Sequence, residues 1–275
     1  MRSEIIKANI EVHTIMASSY NNEPHFRPEN KSKVRDMLLK IRERGGSKLL
    51  DIGCGTGFII DLAKDLFTEI HGVDVTQAML DQVDISNGYI TLHNTPAEKL
   101  PFDDNFFDVV TAYSFIHHVE DYRVILKEAF RVLKPGGVFY IDLEPNKMFW
   151  QAISELEANI QIKEENLSDI VKREISSVLH TDSVVEQEFG IDKDTFNKAE
   201  YIKSILGGID PYEFENECFK TGYRECEVSF QWFLGQGAVM HGQSFEAAQS
   251  IAEYLNKISP LANHLFKYLR FILVK

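Results

Sequence analysis

The stretch Lys48-Leu49-Leu50-Asp51-Ile52-Gly53-Cys54-Gly55-Thr56-Gly57 limits the fold more than any other part of the chain. A short apolar run ends in an aspartate, and three glycines follow at alternate positions. Phe58 to Phe67 then reads as an amphipathic helix. Strand, tight turn and helix follow in that order. Glycine in such a turn allows positive φ and removes the Cβ that would hold a bound molecule off the main chain. The turn is therefore shaped to touch a ligand.

A dinucleotide site places its last glycine three residues after the second, so that a pyrophosphate rests on the helix N-terminus. Here the spacing is two, and Asp51 precedes the first glycine. A carboxylate at that point repels a pyrophosphate and suits an ammonium or sulfonium. Asp74 closes the next apolar run, Ile70-His71-Gly72-Val73, about where a doubly wound fold puts its ribose-binding carboxylate. The pair fits a positively charged nucleoside. An NAD-dependent oxidoreductase is disfavoured by the glycine spacing.

The rest of the chain continues the strand–helix rhythm. Ser3 to Ala17 and Asn30 to Arg44 read as helices before the first strand, the former with Ile5, Ile6, Ile10, Ile15 and Met16 along one face. Glu69–Val75, Tyr89–His93, Asn105–Tyr113 and Val138–Leu143 read as strands two to five, with a helix over Asp121–Leu133. Thr76 is expected to cap a helix running to about Val83. Met148–Ile162, Ser168–Leu179 and Asp194–Leu206 read as helices outside the sheet. Asp210-Pro211 starts another helix, Glu225–Leu234 alternates like a sixth strand, and a helix over Ser244–Ile258 precedes a last strand at Phe266–Val274. The expected division is N-terminal helices and possible lid over 1–46, the cofactor-binding half over 47–146, a helical cap over 147–208 and the remaining sheet over 209–275.

Hydrophobic residues at 44% and charged residues at 26% suit a soluble globular chain. A net charge of −13 without a cluster of Lys and Arg argues against a nucleic-acid partner. Cys54, Cys218 and Cys226 have neither zinc-ligand spacing nor an even count, so no metal and no disulfide framework is expected. No apolar run reaches membrane-spanning length, and a cytoplasmic setting is expected.

Five motifs in order carry a family resemblance: Leu50–Gly57, Gly72-Val73-Asp74, Ala97-Glu98-Lys99-Leu100-Pro101-Phe102, Phe107-Asp108-Val109-Val110 and Leu133-Lys134-Pro135-Gly136-Gly137. The chain resembles the class I S-adenosylmethionine-dependent methyltransferases, in particular the small-molecule group called type 11. The resemblance implies an α/β doubly wound, mostly parallel seven-stranded Rossmann-like sheet whose antiparallel last strand lies between the fifth and sixth. It also implies S-adenosylmethionine as cofactor, with S-adenosylhomocysteine as product. Asp51, Gly53, Cys54, Gly55, Gly57, Asp74, Val75, Ala97, Glu98 and Ser114 are then candidate cofactor contacts, with Thr76 or Gln77 flanking the adenine. Relatives commonly place an acid before the alanine of the third motif, where this chain has Pro96. Adenine recognition is therefore expected to lean on the Ala97 amide, with Asn94 or Thr95. An N-terminal lid is also implied, which makes Tyr20, His25 and Phe26 candidates for it.

Methyl transfer is an in-line displacement in which position supplies most of the rate. A general base adds to it when the acceptor is a hydroxyl or protonated amine. His117 and His118, just beyond the fourth strand, are the first base candidates, because imidazole titrates near neutral pH. The resemblance also allows the pair a structural or cofactor-side role. Strand alternation puts Asp142 and Glu144 on one face, with Glu144 a further candidate. Tyr113, Asn146 and Trp150 are candidates to line the acceptor. The expected partner is a small-molecule acceptor methylated at oxygen or nitrogen, or at carbon, and a homodimer is possible. The alternative is a non-catalytic protein that binds the cofactor, its product or a partner on the same fold.

Overall fold

The computed structural model describes residues 1–22, 26–160 and 169–275. Seven strands, β1 (Lys48–Ile52), β2 (Glu69–Asp74), β3 (Ile90–Asn94), β4 (Phe107–Tyr113), β5 (Leu133–Pro145), β6 (Glu225–Phe233) and β7 (Phe266–Val274), form one sheet in the order β3-β2-β1-β4-β5-β7-β6. β1 to β5 run parallel, and β7 lies antiparallel between β5 and β6. This is the sheet the motifs imply. Asp51 stands opposite Gly72 on one side and Thr111 on the other. The ends of β1, β2 and β4 therefore share one edge, where open α/β sheets bind ligands.

Before β1 come α1 (Arg2–Met16) and α2 (Pro28–Glu43). Between strands lie α3 (Phe58–Ala63), α4 (Gln77–Leu80) and α5 (Tyr122–Val132). Helices cover both faces of the sheet. Val34, Leu38 and Ile41 of α2 and Ile59 and Ile60 of α3 pack on Leu49, Val109 and Val138. On the other face, α5 buries Ile125, Leu126, Ala129 and Val132 against Leu50, Val110 and Phe139. The strands are apolar on both sides for that reason.

After β5 the chain leaves the sheet through α6 (Lys147–Ile160), α7 (Asp169–Leu179), α8 (Thr181–Phe189), α9 (Lys193–Ala199) and α10 (Tyr201–Ser204). The helix expected over Asp194–Leu206 is thus broken in two, and α8 was not anticipated. The excursion closes where Lys147 N–H donates to the Ile209 carbonyl (3.0 Å) and Ile209 N–H to that of Pro145 (2.8 Å). Gly208 makes this closure possible: its φ is +102°, and a Cβ there would stand 2.9 Å from the Lys147 nitrogen. α11 (Pro211–Thr221) begins with Asp210 accepting from two first-turn amides and ends at Gly222 with φ +116°. α12 (Gln236–Gly242) and α13 (Phe245–Lys257) complete the chain's helices before β7. Among the described residues no helix is long and apolar enough to cross a membrane.

Two expectations need correction. The buried face of α1 is Ile5, Ala8, Asn9, Val12 and Met16, whereas Ile10 and Ile15 are exposed. That face meets Val185, Ile191, Phe196 and Ala199 of the excursion, so a polar Asn9 lies inside it. Asp142 and Glu144 do not share a face. The β5–β7 register shifts between Ile141 and Glu144, and Leu143 takes φ +60°. This bulge puts Glu144 on the side of Ile141 and leaves Asp142 on that of Tyr140.

Candidate functional site

The glycine turn after β1 is held against β2 by two bonds: Gly53 and Cys54 N–H donate to the Val73 carbonyl at 2.8 and 3.0 Å. Gly53, Gly55 and Gly57 all have positive φ. A Cβ on Gly53 would lie 2.1 Å from the Phe115 ring. Asp74, at the end of β2, accepts from Gly55 N–H on one oxygen (3.0 Å) and from Thr76 N–H on the other (2.8 Å). The carboxylate is thereby aimed into the turn. Thr76 precedes α4 without a side-chain cap, and its amide donates to Asp74. Gln77 turns away to Asp81.

A cleft of about 930 Å³ opens at this edge. Of the candidate cofactor residues, Asp51, Gly53, Cys54, Gly55, Asp74, Val75, Ala97, Glu98 and Ser114 line it, and Gly57 lies just behind, at the start of α3. Asp51 is 1% exposed and accepts the Thr111 hydroxyl at 2.7 Å. Burial pushes its pKa up to about 7, opposed by the Thr111 bond and reinforced by Asp74. Burial likewise raises Asp74, although its two amide donors and His13 pull the other way. Both carboxyls are primed to gain from a cation.

The roof is α1 and the turn after it. Arg2, Ile5, Ile6, Asn9 and His13 line the cleft, as do Tyr20 and Phe26. His25 lies outside the described residues. Thr56 of the glycine turn donates its hydroxyl hydrogen to Asn21 Oδ1 at 2.6 Å, tying roof to floor. Tyr20, Phe26, Phe58 and Tyr113 form a row of rings with centroids 6.1, 5.1 and 4.7 Å apart. Arg2, Asn9 and His13 escaped the sequence reading. A signal existed: 2, 5/6, 9 and 13 recur at helical spacing, but three of these residues, Arg2, Asn9 and His13, are charged or polar and look like a solvated face.

The histidine pair divides its work. Glu144, fully buried, accepts from the amides of Phe115, Ile116 and His117 (2.9, 2.8 and 3.1 Å) and faces His117 Nδ1 at 2.8 Å. Glu144 is thus saturated and lies behind the cleft wall. His117 Nε2 is 3.7 Å from Glu200. Burial alone would lower the His117 pKa, but Glu144 and Glu200 together raise it. His118 does line the cleft, and its Nδ1 is 2.8 Å from the Ala199 carbonyl. A carbonyl only accepts, so Nδ1 carries the proton and Nε2 keeps its lone pair. Burial and the neighbouring His117 push the His118 pKa well below the usual value.

His117, His118 and Glu200 bring potential ligand atoms within 4.8 Å of one another. Each already has a protein partner, Lys203 holding Glu200 at 2.7 Å, so the group reads as an ion-pair network. Asn146 and Trp150 do not line the cleft. Asn146 is fully buried and donates to the carbonyls of Asn263 and Phe266, while Trp150 packs on Phe149 in α6. Among the described residues, none of the excursion 147–208 lines the cleft. It reaches the site indirectly, by bracing α1 and by holding His118.

A family model described as a methyltransferase domain matches residues 50–141. A demethylmenaquinone methyltransferase of Staphylococcus aureus is 43% identical over 101 residues, which are 34% of this chain and 42% of that protein. The chain therefore spans less than half the length of that relative. Among solved structures, an S-adenosylmethionine-dependent methyltransferase from Mesorhizobium loti superposes with a TM-score of 0.54 at 17% identity, covering 87% of this chain and 96% of the other. A SAM-dependent methyltransferase from Archaeoglobus fulgidus gives 0.51 at 17% identity, over 89% and 94%. At such identity these likenesses bear on the fold.

Proposed function

We propose that this chain, whose residues 50–141 match a methyltransferase domain and lie in a seven-stranded Rossmann-like sheet, transfers the methyl group of S-adenosylmethionine to a small-molecule acceptor. The attack is an in-line displacement at oxygen or nitrogen, or at carbon. One observation carries the reading: the half-buried Asp74 carboxylate, fixed by the Gly55 and Thr76 amides where the glycine turn meets β2. That is the geometry of a ribose acceptor in a doubly wound fold. Gly53 is needed for the turn's own packing, since the Cβ of any other residue there would collide with Phe115.

When bound, the cofactor supplies an electrophilic methyl carbon on a sulfonium. Asp74 takes the ribose hydroxyls, Asp51 and the backbone at Ser114 face the methionine ammonium, and the glycine turn lets the chain approach. The Ser114 backbone is held at φ +52° by its N–H bond to the Asp142 carbonyl (2.8 Å), a strain that a binding edge can use. α1 and the row from Tyr20 to Tyr113 close the site to water and align the acceptor, where orientation is worth up to roughly 7–11 kcal/mol. His118 Nε2 takes the acceptor's proton. His117 and Glu144 are positioning residues.

The aromatic row favours a planar or cationic acceptor. Among the described lining residues Arg2 is the one permanent cation, and Glu98 pairs it, so an anionic acceptor has little to hold it. A quinone-type ring, the kind of acceptor named in the Staphylococcus aureus relative, is one member of the planar class.

Calorimetric titration of S-adenosylmethionine and S-adenosylhomocysteine into wild type and Asp74→Ala tests the cofactor assignment. Binding by wild type with at least a tenfold loss in the variant, about 1.4 kcal/mol, is expected. No binding of either compound to wild type would overturn the assignment. A panel of phenols, quinols and amines with methyl-labelled cofactor then addresses the acceptor, where His118→Ala should lose about a hundredfold or more in turnover with binding retained.

A further inference from the structure

The end of the cleft beyond Asp74 is built by the turn that follows β3. Pro96 offers no polar side-chain atom there, and two neighbouring donors are already used. Asn94 Nδ2 and Thr95 N–H both donate to the Asp74 carbonyl, each at 3.1 Å. What remains is the Thr95 hydroxyl, the Ala97 amide and the Glu98 carboxyl, all from residues that line the cleft. The Glu98 side chain is 8% exposed, and its Oε1 accepts from Arg2 Nε at 3.1 Å. The hydrogen bonds among the described residues leave Ala97 N–H and Glu98 Oε2 unused. A donor and an acceptor thus sit side by side at this end, under the first turn of α1.

The order of the strands says what should reach that end. With the glycine turn at β1 and the ribose carboxylate at β2, the base of a bound nucleoside lies next to β3. The apolar side chains of Ile5, Ile6, Val75 and Met79 line the same cleft and suit a flat ring. An ionised carboxylate accepts hydrogen bonds and cannot donate them. It therefore selects a ring edge that carries an amino group.

Resting on the cofactor reading above, we propose that Arg2 and Glu98 form a clamp that reads the exocyclic amino group of the purine. Glu98 accepts from the amino group through Oε2, and Arg2 is a positioning residue that fixes the carboxyl through Oε1. The N-terminal helix is then part of the cofactor specificity of this chain, and Glu98 does the work that Pro96 cannot do. The ion pair does not explain itself as a source of stability. Arg2 is half exposed, and an ion pair with one partner open to solvent contributes little.

The test is calorimetry with two ligands, S-adenosylhomocysteine and its analogue with hydrogen in place of the purine amino group. Wild type should prefer the amino compound by at least about tenfold. Glu98→Ala should bring the two within about threefold, chiefly by weakening the amino compound. Arg2→Met should also narrow the ratio, with the analogue nearly unaffected. A strap that only held α1 in place would weaken both ligands equally in Arg2→Met, and that result overturns the clamp. So does a wild type that binds both ligands alike. Failure of both ligands to bind wild type would instead overturn the cofactor reading itself. Glu98→Gln guards against a folding artefact, since its amide keeps the shape and should retain only part of the preference.

Discussion

Asp51 shows how one buried group can couple stability to the charge of the cleft. Its folded pKa of about 7 stands above the ordinary aspartate value of about 3.9, so the folded state holds the proton more tightly than the unfolded chain does. The stabilising contribution is full below the lower value and is lost as pH rises through the higher one. Asp51→Asn should therefore gain on wild type between pH 4 and pH 8, by an amount on the order of a few kcal/mol in urea unfolding. A difference that stays constant over that range would rule out the raised pKa. Glu144 acts through a neighbour, because it sustains the charge on His117. The raised His117 pKa contributes stability below about pH 6.5, and that contribution fades as pH climbs through the folded value. Glu144→Gln should cost about 3–5 kcal/mol at pH 6, with the deficit shrinking toward pH 9. Imidazole titration by NMR supplies the check: in the variant His117 should titrate lower than in wild type, with His118 low in both.

At the scale of elements, the first helix and the fifth strand carry the main departures. α1 has isoleucines on two sides, and only contact with α8, α9 and the cleft decides which side is buried. Met16→Ala, on the packed side, should cost about 2 kcal/mol or more. Ile15→Ala, with 45% of its surface exposed, should stay within about 0.5 kcal/mol. Equal costs in thermal unfolding would mean that the helix sits differently. In β5 the alternation rule fails at one residue. Leu143 in a left-handed conformation sends Asp142 to Arg270 and Tyr140 on one side and Glu144 to the β4 turn on the other. A bulge of this kind leaves no mark in the hydrophobic pattern, because both faces of a covered parallel sheet are apolar.

For the molecule as a whole, the cleft is made by parts far apart in the chain. Residues 2–13 roof it, the turns at 53–56, 74–76 and 95–98 floor it, and the excursion beyond β5 braces the roof from behind. A ligand that binds only the folded state should add about 2.7 kcal/mol of stability at a hundred times its Kd. With S-adenosylhomocysteine, amide exchange should slow in α1 as well as in the glycine turn, since roof and floor are joined by Asn21–Thr56, Arg2–Glu98 and the Asn9 side chain on the His118 carbonyl. Exchange in α1 that is unchanged by ligand would separate the helix from the site.

The order of the strands, the glycine turn and the place of Asp74 were legible in the sequence by itself, because each is a local matter. Strand and helix periods are set by neighbours a few residues apart, and a turn that needs positive φ shows its glycines. The tertiary structure alone decided which histidine lines the cleft, that Glu144 is buried behind it on the 115–117 amides and His117, and that Arg2, Asn9 and His13 line it. Those outcomes rest on contacts between residues about a hundred positions apart, such as Arg2 with Glu98 and Asn9 with His118. Local propensity carries no record of such partners, since a polar residue on a helix looks the same whether it will meet water or a buried carbonyl.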